Sequence, residues 1–348
     1  MSKKPFRPRL SEEEYTLLQS IRNEHTALEA ECKAQGIPVE SIKQYWFKGE
    51  HFSINAKGLS GPSYEDIKEE IINDMKAHAP QYPKIKRNPE SLKLNGHLLV
   101  LDPADVHIGK LGRSIEVGEE YNSLIAVQRV MEGVYGILDK SSGFNIDKIL
   151  YIIGNDILHI DTPKRQTTSG TPQDTDGMFY DSFQTARKLH VEVIEILREI
   201  ADVHVQYDPS NHDYMSGMFL ADSINSWFHN DQHVTFNVTP SHRKYFHYHN
   251  NLIGTTHGDG AKENDLPLLM AHEAKQEWSI SDHKYWYTHH IHHKRSKDIM
   301  GVTVEALRSP SGPDSWHFRN GYCHSPKAVE GFIHHKIHGQ VARITNLF

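Results

Sequence analysis

The sequence predicts an α/β fold built on a buried sheet from residue 97 onward, behind a helical N-terminal region. Three observations carry that prediction. Short apolar runs alternate with helix-length stretches after residue 97. Polar residues of the kinds that hold metal ions follow the ends of those runs. Before residue 58, apolar positions recur at helical rather than strand spacing.

The 348 residues allow one large α/β domain or two modest ones. A hydrophobic share of 37% against 24% charged residues excludes a disordered chain. No apolar run reaches the roughly 18 residues of a membrane helix. Behind Lys3 and Lys4 there is no apolar segment, so no signal peptide and a cytoplasmic residence are expected.

In order, residues 1–57 read as helical. Ser11 caps a first turn holding Glu12, Glu13 and Glu14, and Tyr15, Leu17, Leu18, Ile21 and Leu28 give a broken helical stripe. A second helix starts around Pro38 and runs through Lys48. Two readings of this pair stay open. It is a helix-turn-helix offering Lys43, Gln44, Tyr45, Trp46 and Lys48 to DNA, or a helical docking element whose aromatics form its own core and through which copies self-associate. Residues 58–96 read as a linker with one helix, at about 64–78, and a basic connection from Pro83 to Pro89. Residues 97–348 read as the main domain. Its strands fall at 97–101, 149–153, 203–207 and 252–254, separated by helices near 121–139, 178–200 and 214–229. Closely spaced strands after residue 284 predict a second sheet added in antiparallel fashion, ending with strands near 329–334 and 340–345.

Cys32 and Cys323 are too few and too far apart for a disulfide framework or a thiolate zinc site. Histidine takes their place as the metal-type residue, since 23 of 26 copies lie in residues 97–348. That region carries net charge −8 and residues 1–96 carry +1, which excludes a protein that coats nucleic acid by bulk electrostatics.

The chemistry lies in five clusters, each just past a strand. Asp105 and His107 follow the first, Asp156 and His159 the second, Asn211, His212 and Asp213 the third, His257 the fourth, and His289, His290, His292 and His293 the fifth. Side chains at the C-terminal ends of successive strands converge on one crevice in open α/β sheets. A lone Asp-x-His means little, whereas five clusters in order point to a metal centre.

This order resembles the calcineurin-like metallophosphoesterases, whose motifs run DxH, GDxxD or GDxxH, GNHD or GNHE, GH or HG, then GHxH. The likeness covers roughly residues 97–310. It implies an αββα sandwich of two mixed sheets and two divalent ions, manganese first, with iron, zinc or nickel as alternatives. Position by position it implies Asp105, His107, Asp156, Asn211, His257, His290 and His292 as ligands. Asp156 is then shared, Asp105, His107 and His292 hold one ion, and Asn211, His257 and His290 the other. The spacing from Asp156 to His159 looks more like Mre11-type nucleases than protein phosphatases, and the whole chain is similar to phage and prophage metallophosphoesterases. Three departures bear on turn geometry: Asn155 intervenes after Gly154, and Ser210 and His289 stand where the motifs have Gly.

His212, beside a ligand but not needed as one, is the expected general acid, with His159 or Asp213 orienting it or touching the phosphate. Lys164, Arg165 and Arg319 are candidate contacts to backbone phosphates, and Trp316 or Phe318 a candidate surface for a base. The expected activity is hydrolysis of nucleic acid, DNA first, with no membrane partner. The alternatives are a phosphomonoesterase, a nucleotide phosphodiesterase, and a non-catalytic scaffold of the same fold.

Overall fold

The computed structural model describes residues 29–34, 44–48, 53–57, 69–70, 73 and 95–348. The chain divides into two compact units, Met1–Gln81 and Tyr82–Phe348.

In the first unit, residues 29–34 are helical, and strand β1 (Gln44–Lys48) pairs antiparallel with β2 (Ser53–Lys57), Trp46 opposite Asn55. This corrects the sequence expectation of a helix continuing through Lys48. Tyr45, Trp46 and Phe47 are aromatic residues in succession, a type that favours strands. A recognition helix bearing Gln44 to Lys48 is therefore absent. The expected helix at residues 11–28 and the position of Lys43 lie outside the described residues.

In the second unit, six strands run in the order β13-β12-β3-β4-β5-β6 and five in the order β10-β11-β9-β8-β7. The first sheet comprises β3 (His97–Asp102), β4 (Ile146–Gly154), β5 (Asp202–Asp208) and β6 (Val234–Asn237), all parallel, with β12 (Ala328–His335) and β13 (Gly339–Leu347) added antiparallel. In the second, β8 (Asn251–Thr256), β9 (His283–Thr288) and β11 (Val302–Ala306) are parallel, while β7 (Lys244–Tyr248) and β10 (Arg295–Ile299) run antiparallel at the edges. Both sheets are mixed, but the antiparallel second sheet expected from sequence is not found: its centre is parallel, and the last two strands return to the first sheet. Strands β6 and β7 had not been expected at all.

Period-two alternation stacks these layers. Leu99, Leu101, Ile149, Tyr151 and Ile153 face three helices, α2 (Ser123–Lys140), α3 (Phe179–Arg198) and α4 (Tyr214–Trp227), which follow the short α1 (Ser114–Val117). Their neighbours Leu98, Val100, Leu150 and Ile152 point the other way and pack with Ile253 and Tyr287 of the second sheet. Beyond that sheet, Trp286 and Val304 meet Leu266 and Met270 of α5 (Leu266–Glu273), which precedes α6 (Lys275–Ile280). The result is an αββα sandwich with buried apolar side chains on both faces of each sheet. Among the described residues no helix is long and apolar enough to cross a membrane.

Candidate metal centre

All five residue clusters sit at the C-terminal ends of parallel strands, three from the first sheet (β3, β4, β5) and two from the second (β8, β9). Backbone hydrogen bonds zip the loops together beyond the strands. Asp105 N–H donates to Asn155 O (2.8 Å), His107 N–H to Asp156 O (2.9 Å), Asn155 N–H to Asp208 O (3.0 Å) and His289 N–H to His257 O (2.8 Å). Gly154 makes the approach to Asp208 possible. It has φ 97°, and a Cβ there would lie 2.1 Å from Asp208 O.

The ligand loops are strained where the side chains matter. Asp105 (φ 51°), His107 (51°), Asn155 (54°), Asp156 (60°), His290 (72°) and His292 (56°) all take left-handed backbone without being glycine. Such conformations cost on the order of 1 kcal/mol each and persist where surrounding structure over-determines them, often at functional sites.

The donor atoms gather in two sets. His107 Nε2 lies 3.2 Å from His292 Nε2, and His292 Nε2 lies 3.5 Å from Asp105 Oδ1. Across the centre, His257 Nε2 lies 2.9 Å from Asn211 Oδ1 and 3.3 Å from Asp156 Oδ2, with His290 in the same group. Asp156 Oδ2 is also 3.9 Å from His107 Nε2, so that one oxygen faces both sets. Metal–ligand bonds of about 2.0 to 2.2 Å give ligand–ligand edges of roughly 2.8 to 3.6 Å in octahedral or tetrahedral geometry, and the separations from 2.9 to 3.5 Å fit that range, while the 3.9 Å between Asp156 and His107 is slightly longer. The seven expected ligands are thus brought together in the expected division, and mixed N/O donors suit a transition-metal ion. His290 and His292, not His289 or His293, point into the site: His293 Nδ1 turns away to Ile291 O (2.7 Å) and is exposed.

Charge follows the same geometry. Burial works against a charged His257, yet the Asp156 and Asp105 carboxylates outweigh it and hold the ring at about 9. Burial likewise opposes the ionised Asp156, but His257 and His212 hold it below the usual carboxylate range. Burial, with neighbouring cations, pushes His107 and His159 well below the ordinary imidazole value, which favours the neutral ring in both.

The three departures from the motif pattern now have structural accounts. Asn155 occupies a left-handed position, which asparagine tolerates better than most residues. Ser210 and His289 are not at positive φ, so neither needs to be glycine. Ser210 Oγ accepts from Asp156 N–H (2.7 Å) and donates to Asp213 Oδ1 (2.6 Å), holding the shared carboxylate's backbone. His289 Nε2 meets Asp102 Oδ2 at 2.8 Å and its Nδ1 meets Thr256 O at 3.2 Å. This buried pair ties the end of β3 to the end of β9, one from each sheet. Although burial opposes the charge, the Asp102 carboxylate keeps the His289 imidazole above its ordinary value.

His212 donates its backbone N–H to Asp156 Oδ1 (3.0 Å), and its Nδ1 lies 2.9 Å from His159 O. The His159 ring stacks on it at 5.2 Å and 21°. His107, His159 and His212 also form a third convergent group. Asp213 was expected to orient His212 or touch the phosphate. It is fully buried, and its oxygens are taken by Ser210 Oγ and Leu158 N–H (2.9 Å), so it acts through the loop that carries Asp156.

Of the expected substrate contacts, Lys164 and Arg165 are exposed at the tip of a turn whose return limb reaches the site through Thr168 N–H to Asn211 O (3.2 Å). Trp316 and Arg319 are exposed on α7 (Ser315–Arg319). Sequence reasoning passed over His317, whose ring stacks on His292 at 5.1 Å and 21°. It is held by Asp314 Oδ1 at 2.7 Å, and Asp314 Oδ2 in turn lies 3.2 Å from the fully buried Lys110 ammonium. Nothing in the spacing of Lys110 and Asp314, some 200 residues apart, signals that contact.

Neither protein-family models nor curated proteins match this chain. Solved structures do. An archaeal phosphodiesterase is 8% identical with a TM-score of 0.34, covering 72% of this chain and 99% of its own. Vps29 from Entamoeba histolytica, solved with zinc, is 13% identical with a TM-score of 0.31, over 72% and 98%. A Staphylococcus aureus chain described as a 5'-nucleotidase is 8% identical with a TM-score of 0.35, over 72% and 54%. In the order of its ligand motifs and in its two mixed sheets between helices, the chain is similar to the calcineurin-like metallophosphoesterases.

Proposed function

We propose that this protein is a metal-dependent phosphodiesterase that hydrolyses nucleic acid, DNA foremost, with manganese as the preferred ion. The observation that carries the reading is the pair of donor sets opposed across Asp156, with His212 bound through its backbone to that same carboxylate. Asp105, His107 and His292 would hold one ion, Asn211, His257 and His290 the other, and Asp156 both. Two such ions, when bound, polarise a phosphoryl oxygen and acidify water for attack on phosphorus.

The remaining work falls to this chain's own groups. The carbonyl of His159 can only accept, so Nδ1 of His212 carries the hydrogen between them. Nε2 is then the atom that holds or releases a second proton. As water attacks phosphorus and the bond to the departing oxygen breaks, the proton on His212 Nε2 passes to that oxygen. The stack on His159 fixes the ring plane for this transfer. Lys164, Arg165 and Arg319, all exposed, would supply cations for flanking phosphates.

The test is hydrolysis of labelled single-stranded and duplex DNA by manganese-loaded protein, beside a chromogenic diester and a chromogenic monoester. DNA and diester cleavage, both abolished by Asp156→Asn, supports the reading. Monoester cleavage alone would make the protein a phosphomonoesterase, and inertness on all four with metal bound would make it a scaffold.

A further inference from the structure

The row of rings leading away from the metal centre has no part in the chemistry above. His292 is a ligand residue, His317 stacks on it at 5.1 Å, Trp316 meets His317 edge to face at 5.2 Å, and Tyr322 lies 5.7 Å from Trp316 at 39°. The inner member is mostly covered, but Trp316 is 60% and Tyr322 63% exposed, with Phe318 beside them at 47%. Isolated surface aromatics are ordinary; two in contact, continuous with a ligand, present apolar area to water for no structural gain.

The row is also held in place. Asp314 caps α7, accepting the His317 N–H at 2.9 Å as well as its ring, while Ser309 Oγ donates to Asp105 O at 2.7 Å and anchors the segment leading in. Past the helix, Tyr322 N–H donates back to His317 O (2.9 Å) and Asn320 Nδ2 to Trp316 O (2.8 Å). The exposed rings therefore need little ordering before a ligand arrives, which lowers the entropic cost of stacking.

We propose that Trp316 and Tyr322 form a stacking platform for an unpaired base next to the scissile phosphate, so that the substrate is single-stranded nucleic acid. This rests on the nucleic-acid reading given above. Within a duplex both faces of a base are covered by its neighbours, and only an unpaired base can lay a free face on the platform. Arg319, exposed on the helix that carries Trp316, offers a cation to a flanking phosphate.

The test measures steady-state hydrolysis of a single-stranded oligodeoxynucleotide, its duplex, and the same strand with abasic sites throughout, by wild type, Trp316→Ala, Trp316→Phe and Tyr322→Ala. Stacking on an aromatic side chain predicts that Trp316→Ala raises KM on the base-bearing strand about 5- to 150-fold with kcat little changed. Trp316→Phe should recover most of that loss, the abasic strand should respond less than about twofold, and wild type should favour single strand over duplex. Equal losses on abasic and base-bearing strands, no loss at all, or a preference for duplex would overturn the platform while leaving nucleic-acid hydrolysis standing. A wild-type protein that cleaves the chromogenic diester but none of the strands would overturn both.

Discussion

At the scale of single residues, the sequence was most legible where chemistry constrains identity. Asp105, His107, Asp156, Asn211, His257, His290 and His292, which the fold gathers into two donor sets, stood out in the sequence because a metal centre would call for such donor atoms at strand ends. Ser210, Asp102 and His317 were not, because their value lies in what they touch: a serine that bridges Asp156 and Asp213 looks like any serine until both partners are placed. For His212 the geometry predicts that His212→Ala keeps its bound metal and loses about 10² to 10⁴-fold in turnover on DNA. The loss should be far smaller on an aryl diester, whose leaving group needs no proton, and equal losses on both would mark His212 as a ligand or positioning group. A second prediction concerns acid. Burial holds His190 and His334 neutral at about 3 in the folded protein, and each binds a buried tyrosine hydroxyl. Since these values lie below that of an exposed imidazole, the unfolded chain binds more protons and stability falls as the pH is lowered. The window runs from about 6.5 down to about 3, with roughly 1.4 kcal/mol per pH unit for each ring through most of it. Urea midpoints across this range should show a shallower acid slope for His190→Gln than for wild type; an unchanged slope would mean that His190 does not contribute.

At the scale of elements, strands β3 and β4 were legible because a buried parallel strand reads as an unbroken apolar run, and β5 because Val203, Val205 and Tyr207 alternate with polar residues. The second sheet was misjudged for a physical reason. After β9 the chain turns through β10 and comes straight back as β11, which pairs with both, antiparallel to β10 and parallel to β9. Close spacing in sequence looked like a simple meander, while the edge strand β10 was in fact the crossover. The β10–β11 hairpin also supplies a stability test. Ile299 pairs with Val302 across Met300 (φ 49°) and Gly301 (φ 82°), a two-residue turn with both central residues left-handed. Met300 is 93% exposed, so its side chain gains almost nothing from packing. Met300→Asn should raise stability by about 0.5 to 1 kcal/mol, and Gly301→Ala should lower it by about 1 to 2 kcal/mol, both read from denaturant midpoints. A Met300→Asn protein no more stable than wild type would contradict the turn assignment.

At the scale of the whole molecule, the sandwich brings together loops from two sheets whose residues are as much as 187 positions apart, and the buried Asp102–His289 pair is one place where the sheets are tied. Under the proposed function, left-handed loop residues, an Asp156 oxygen that faces both donor sets and a His212 bound to that carboxylate would together make a centre organised around two cations. That is the central claim, and metal stoichiometry tests it most directly. Protein stripped of metal, reconstituted with manganese and freed of excess should carry two ions per chain by elemental analysis, and Asp156→Asn should lose or weaken at least one. A wild-type protein that saturates at one ion per chain, with Asp156→Asn binding it equally well, would contradict the account.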